Sequence, residues 1–346
     1  MSNKPNILDF DLTALAEILD TWGEPSYRAP QLWHALYKNL FDDPERIPNL
    51  PIALRTRLRE RFTLSQLIPE TVIVSRDGNT EKTLFKLQDN QAIETVSMRY
   101  DQRRTLCIST QSGCGMGCVF CATGQMGFRR NLSSGEIVEQ VLYYARKFHS
   151  QGERVTNVVL MGMGEPFQNY DATMAAIDRL NHPDGYNLGA RRFTVSTVGL
   201  VPFIRRFANE RRQINLAVSL HAADDDLRNS MLPINRKYPL NLLLEACQDY
   251  VDKTKRRITF EWALIHRVND TPDHARQLAA RVKGLLCHVN VIPLNPTYGY
   301  SGEATTSERA IGFQAELERL GIPCTIRIRR GIDIQAGCGQ LAIERT

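Results

Sequence analysis

Cys114, Cys118 and Cys121 stand in "GCGMGCVFCATGQMGFRRNL", residues 113–132, with the spacing C-x3-C-x2-C. Three thiolates are one fewer than a closed structural zinc site or a fully protein-held cubane cluster needs. Three uses compete for them. A zinc knuckle calls for a second C-x-x-C or a His pair nearby, and none follows. A thioredoxin-like C-x-x-C could use Cys118 and Cys121 alone, which leaves Cys114 idle. A 4Fe-4S cluster held through three of its irons leaves the fourth open to a small molecule.

Two further cysteines invite chemistry. Cys107, in "RTLCIST", falls on a strand-like run seven residues before the trio, and a buried strand thiol is the common fate of such a residue. Cys338, in "AGCGQL", is flanked by glycines, which implies backbone freedom and access. Cys247, Cys287 and Cys324 fall in or beside apolar helix and strand patterns and read as core. His149, His182, His266, His274 and His288 have no partner at metal-ligand spacing.

These residues need a frame. Residues 11–66 show helical periodicity in "LTALAEILDTWG", "RAPQLWHALYKNLF" and "PIALRTRLRERF". From residue 71 the period changes to that of strands, with one hairpin turning at Asp77-Gly78 and a second near Asp101. Beyond it, strands expected at 105–110, 157–161, 193–197, 215–220, 258–264, 290–292 and 324–329 alternate with helical stretches such as "SGEIVEQVLYYARKF" and "NLLLEACQDYVDK". That alternation predicts parallel strands with crossover helices, six or seven βα units, too few for a closed eight-stranded barrel. Polar, Gly-rich or Pro-rich signals follow most strands: "GMGEP", "STVG", "SLHA" and "PLNP". They mark the C-terminal strand ends, where parallel α/β folds keep their active sites. "GMGEP" lacks the third glycine of a dinucleotide loop and is weak evidence for one.

Composition sets the bounds. The 346 residues are 42% hydrophobic with a net charge of +5, ordinary for a globular protein of more than one domain. The start is polar and acidic, without the pattern of a signal peptide. No apolar run approaches the roughly 18 residues of a membrane span, so a cytoplasmic protein with reduced thiols is expected. Arginine pairs recur at 103–104, 129–130, 191–192, 205–206, 211–212, 256–257 and 329–330. They read either as solvated faces or as one basic surface for an RNA backbone, which only folding can assemble.

C-x3-C-x2-C with Phe120 before the third Cys, after the first barrel strand, resembles the radical S-adenosylmethionine (SAM) superfamily. Within it, nearly the whole chain resembles the RlmN/Cfr family of methyltransferases of large-subunit ribosomal RNA. The resemblance rests on "YRAPQLWHALY", "AIETV", "TLCISTQSGCGMGCVFCATGQMGFRRNL", "LMGMGEPFQNYD", "RRFTVSTVGLVP", "AVSLHA", "MLPINRKYPL", "IPLNP" and "CGQLA". It looks most like the branch that methylates adenine C2 of 23S rRNA and, in some bacteria, transfer RNA. The resemblance implies an α/β fold: a partial (β/α)6-type radical SAM barrel at 101–335, an N-terminal helical module at 1–70, a β-hairpin extension at 71–100 and a C-terminal segment at 336–346.

By the same resemblance Cys114, Cys118 and Cys121 hold the 4Fe-4S cluster. Gly164, Glu165, Ser196, Ser219, Leu220, His221 and Asn295 line the SAM site, where Glu165 meets the ammonium. Cys338 carries a methyl group as a thioether, Cys107 resolves the later intermediate through a transient disulfide, and Glu94 is the proton acceptor. Two SAM molecules are spent per turnover. The first methylates Cys338, and the second yields a deoxyadenosyl radical that takes a hydrogen from the S-methyl group. The resulting carbon radical adds to the adenine ring, a route suited to a ring carbon that is electron-poor and not nucleophilic. A reducing protein such as flavodoxin is the expected electron donor, and the chain is expected to be a monomer. Methylation at C8, a radical SAM reaction on a substrate other than RNA, and a non-catalytic iron–sulfur RNA-binding protein are the alternatives; Cys107 and Cys338 together argue against the last two.

Overall fold

The computed structural model describes residues 4–327 and 329–342. The first three residues of the helical module, Ile328 and the last four residues of the C-terminal segment lie outside the described residues. Three helices come first: α1 (Leu12–Thr21), α2 (Arg28–Tyr37) and α3 (Ile52–Arg61). Asp11 caps α1 by accepting a hydrogen bond from the Ala14 amide at 2.8 Å. Leu54 and Leu58 are the buried residues of α3, one helical turn apart, while its arginines are half-buried or exposed.

Four strands follow: β1 (Ile68–Val74), β2 (Thr80–Lys86), β3 (Ala92–Arg99) and β4 (Arg104–Cys107). They pair antiparallel in sequence, so both hairpins stand where the sequence places them, and Val96 faces Cys107 across β3 and β4. A separate two-stranded ribbon, β5 (Gln111–Gly113) with β6 (Phe128–Asn131), encloses the cysteine loop and the short α4 (Ala122–Gln125). The rest alternates: α5 (Ser134–His149), β7 (Asn157–Leu160), α6 (Tyr170–Asn181), β8 (Phe193–Thr197), α7 (Val201–Glu210), β9 (Asn215–Ser219), α8 (Asp225–Met231), α9 (Leu240–Thr254), β10 (Ile258–Leu264), α10 (Pro272–Val282), β11 (Cys287–Pro293), α11 (Ser307–Arg319) and β12 (Cys324–Ile326). The order across the sheet is β1-β2-β3-β4-β7-β8-β9-β10-β11-β12, open at both ends and parallel from β4 onward.

β8 and β10 have the predicted bounds. β4 stops at Cys107 rather than 110 because the chain turns there toward β7: the Thr110 amide donates to the Met163 carbonyl at 2.8 Å. β11 is longer than expected and β12 shorter.

Strand periodicity builds the site. Val158 and Leu160, Phe193 and Val195, Leu216 and Val218, Phe260 and Trp262, and Val289 and Val291 are all buried against the crossover helices. Each contributes about 1.5–3 kcal/mol by leaving water. The alternate residues face the concave side, and they include Thr194, Ser196, Asn215, Ser219, Thr259, Glu261 and Asn290. A barrel filled by its own side chains would carry branched apolar residues there; this interior is polar because it is a chamber.

The helical module shares one hydrophobic cluster with the barrel. α5 starts with a capping box between Ser133 and Glu136. Asp9 adds a bond from outside: its carboxylate accepts from the Gly135 amide at 2.6 Å. A side chain on Gly135 would meet that carboxylate at 2.9 Å. Glu139, one turn along, accepts from the amides of Gln66 at 2.9 Å and Leu67 at 3.2 Å. The module is thereby fixed to the helix that follows the cysteine loop.

Candidate active site

The cysteine loop is pinned at its two ends. Gly113 has φ +73°, and a Cβ there would lie 2.0 Å from the Gly127 carbonyl oxygen. The Cys114 amide donates to that carbonyl at 3.0 Å, so only glycine closes the loop. Cys118 and Cys121 line a chamber at the C-terminal ends of the strands, and Cys114 is buried beside them. The three thiols lie within each other's fields, and burial pushes all of them up, Cys114 to about 12. Buried thiols crowded in this way suit a bound cationic group, which takes the protons' place. Among the described residues no three His, Cys, Asp or Glu side chains lie close enough to share one metal ion. An iron–sulfur cluster, whose ligand sulfurs each reach a different iron, does not need them to. The donor set and its setting therefore fit a cluster.

Glu165 stands across the chamber, 2% exposed. One carboxylate oxygen accepts from the Phe167 amide at 3.0 Å and the other from the Val198 amide at 2.9 Å. Burial raises its pKa to about 7 against those two bonds. Gly164 before it has φ +104°, and a Cβ there would strike Gln111 at 2.6 Å. His221 also has a positive φ, +61°. Its Nδ1 accepts from the Ala263 amide at 2.9 Å. Burial, with the Arg228 charge, lowers its pKa to about 3, so the ring is neutral and its proton sits on Nε2.

Arg228 is fully buried and holds the loops behind this wall. It donates to the carbonyls of Leu220 at 3.1 Å, Val198 at 2.8 Å and Ser219 at 3.1 Å, and to Asn235 Oδ1 at 2.7 Å. Those bonds replace the water it gave up. Nothing in the sequence pattern sets it apart from the surface arginines.

Cys338 sits where two lobes of the chamber meet. The first lobe holds Cys118, Cys121, Gly164, Glu165, Ser196, Ser219 and His221; the second holds Cys107, Tyr100 and Arg327. Cys338, Asn295, Glu261 and Met161 line both. Cys338 is an exposed residue and lines both lobes. Burial, then the Glu261 and Cys121 charges, pushes its pKa up to about 12; burial and the Cys338 charge do the same to Cys107. Several bonds hold its segment. Asn295 Nδ2 donates to the Cys338 carbonyl at 3.0 Å. The Ala122 amide and the Thr123 hydroxyl, both in the cysteine loop, donate to the carbonyls of Gly339 at 2.8 Å and Leu341 at 2.6 Å.

The structure thus brings together Cys107, Cys118, Cys121, Cys338, Gly164, Glu165, Ser196, Ser219, His221 and Asn295. Leu220 does not line the chamber; its side chain is core and its backbone is tied to Glu261 and Arg228. Glu94 lies one layer away. Its carboxylate is 3.1 Å from the Lys82 ammonium, in a neighbouring cavity under Ile334 and Gln335, and Lys82 also donates to the Gln335 carbonyl at 3.3 Å. Glu261 went unnoticed in the sequence. A lone carboxylate within the apolar run "ITFEWALI" was the available signal.

Comparison with known proteins adds the following. The sequence model of the Radical SAM superfamily matches residues 108–279, and that of the ribosomal RNA large subunit methyltransferase N-terminal domain matches residues 5–64. The "probable dual-specificity RNA methyltransferase RlmN" of Chloroflexus aurantiacus is 50% identical over 347 residues, covering 97% of this chain and 92% of that protein. The dual-specificity RNA methyltransferase RlmN 1 of Myxococcus xanthus is 50% identical over 342 residues, covering 98% and 95%. Among solved structures, a radical SAM methyltransferase from Sphaerobacter thermophilus superposes with a TM-score of 0.96 at 50% identity, over 98% of this chain and 100% of that one.

Proposed function

Because the chain belongs to the RlmN family of radical SAM RNA methyltransferases, we propose that it methylates C2 of an adenosine in 23S rRNA, and of an adenosine in transfer RNA, with Cys338 as methyl carrier. The observation that carries this reading is the place of Cys338. It borders both the lobe of the cluster cysteines and Glu165 and the lobe of Cys107.

When bound through Cys114, Cys118 and Cys121, the cluster and SAM supply the one-electron chemistry that activates an otherwise inert methyl C–H bond. The chain's residues do the rest. Glu165 presents a carboxylate to the SAM ammonium. Cys338 accepts a methyl group on sulfur, and that carbon then bonds to the adenine, joining protein to RNA. The Cys107 sulfur attacks the Cys338 sulfur as the S–C bond breaks. The bond's electron pair stays with the carbon, which takes up the proton that Cys107 gives up and so becomes the methyl group, and a disulfide remains for an external reductant to reopen. Glu94 takes the ring proton by the family resemblance; its carboxylate pairs with Lys82, which donates to the carbonyl of Gln335, three residues before Cys338.

The family resemblance supports a small reducing protein such as flavodoxin as electron donor and a monomer as the working form. It also supports the division into a helical module at 1–70, hairpins at 71–100, a barrel at 101–335 and a C-terminal carrier segment at 336–346. Among the described residues no helix is long and apolar enough to cross a membrane, and a bacterial RNA substrate fits a cytoplasmic site of action.

Replacing Glu165 by Ala should weaken SAM binding about 10- to 100-fold, the worth of a charge-assisted hydrogen bond of roughly 1.5–3 kcal/mol. Cluster iron should stay unchanged, because no iron ligand is removed. Equilibrium SAM binding measured beside iron content decides it; unaltered affinity would remove Glu165 from the site. The function itself is tested by giving anaerobically reduced protein SAM labelled in its methyl carbon, with protein-free ribosomal or transfer RNA. Label should enter both, and label in neither overturns the reading.

A further inference from the structure

At the opposite end of the barrel from the cysteine loop the strands begin around a wide mouth of about 700 Å³, against about 140 Å³ for the chamber of Glu165. Its lining carries Arg103, Arg191, Lys255, Arg256, Arg257 and Arg327, the last shared with the lobe of Cys107. The first five directly precede strands β4, β8 and β10, so the topology gathers into one ring cations that lie far apart in the sequence. Several other arginines of the recurring pairs are neutralised by carboxylates. Arg206 binds Asp171, Arg212 binds Asp178, Arg104 binds Glu153 and Arg130 binds Glu136. Among the described residues none of the six lining cations forms an ion pair with a carboxylate. The partners of Arg191 and Arg256 are the amides of Gln213 and Asn215, and Arg103 lies over the Tyr100 ring. Among the described residues the one carboxylate lining the mouth is that of Glu261, on its floor.

That floor shares its wall with the catalytic lobes: Met161 and Glu261 line all three cavities, and Arg327 lines the mouth and the lobe of Cys107. Along β10, Thr259 and Glu261 line the mouth, while Glu261 and Ala263 line the chamber. The step from Thr259 to Ala263 is roughly 13 Å of strand. Glu261 is 4% exposed, and among the described residues one of its carboxylate oxygens has no hydrogen-bond partner. A buried acceptor left open, at the inner end of a cationic funnel, awaits a donor that arrives by that route.

We propose that RNA docks on this mouth, with its phosphates on Arg103, Arg191, Lys255, Arg256 and Arg257, and that the extruded adenine passes down the throat until its exocyclic amine donates to Glu261 beside Cys338. The proposal rests on the reading that the substrate is RNA. SAM and substrate then occupy opposite ends of one barrel and meet at the carrier cysteine. Uncompensated cations in a ring fit a folded polyanion, and the phosphate contacts offset the cost of unstacking the base, roughly a few kcal/mol.

The test combines Arg103→Gln, Arg191→Gln and Arg257→Gln, three exposed side chains, in one variant. Its binding to protein-free large-subunit ribosomal RNA is measured over a range of KCl concentrations. The dissociation constant should rise roughly tenfold or more, and the log–log salt slope should shrink by about 2, near 0.7 for each single-strand phosphate the protein no longer neutralises. SAM cleavage in the absence of RNA should be unchanged. A second variant, Arg205→Gln with Arg206→Gln and Arg212→Gln, removes as much charge from carboxylate-paired positions and should bind RNA as the unmodified protein does. The proposal is overturned if the rim variant keeps its affinity and slope, if the second variant is weakened as much, or if the rim variant loses RNA-independent SAM cleavage. An unmodified protein that binds and methylates no RNA is a separate result, and it overturns the function rather than the route.

Discussion

Cys107→Ala protein is expected to accumulate covalently joined to RNA. The second lobe places Cys107 and Cys338 on one wall, each within the other's field. Removing the Cys107 thiol leaves every step up to the adduct intact: Cys338 still takes a methyl group, and its carbon still bonds to the base. Only the sulfur that cleaves the Cys338 S–C bond is missing. The adduct should appear on a denaturing gel as a nuclease-sensitive mass shift, with turnover abolished. Cys338→Ala has no carrier and should show neither adduct nor product. Normal turnover by Cys107→Ala, or an adduct in the double variant, would contradict the assigned roles.

Loss of any one of Cys114, Cys118 or Cys121 to Ala should remove most of the bound iron and all SAM cleavage. The loop that carries them is closed by Gly113 and by the Cys114 amide bond to Gly127, so its shape does not depend on the thiols. The variants should therefore fold, and the loss should appear in iron content and in the visible absorption of the reconstituted protein. The Cys338 segment reports the same change, since it docks on Ala122 and Thr123 of that loop through Gly339 and Leu341. A triple Ala variant that retained its iron would place the cluster elsewhere.

The strands were legible where pattern and burial agree. β8 and β10 alternate small or polar residues with Phe, Val and Trp, and their bounds match the expectation. β4 was overextended because "LCIST" continues the apolar pattern, while the backbone leaves the sheet to bond with Met163. The place of the chamber at the strand ends was legible, because polar and Gly-rich signals there have no role in a core; its individual residues came from the family resemblance. Leu220 was not separable from its neighbours: in "SLHA" it is the outward residue between two inward ones. The pairing of Glu94 with Lys82 was also hidden, since it depends on the register of β2 against β3, which sets Leu84 opposite Glu94. The arginine pairs were countable in the sequence. Only the topology shows that some meet at one mouth while others are neutralised by carboxylates.

The central claim is that this barrel places a methyl group on C2 of adenine through Cys338. Digestion of the RNA product to nucleosides, followed by mass spectrometry against standards, tests it most directly. The account predicts 2-methyladenosine, formed only with reduced protein and SAM and absent with Cys338→Ala. Finding 8-methyladenosine instead, or no methylated adenosine, would contradict it.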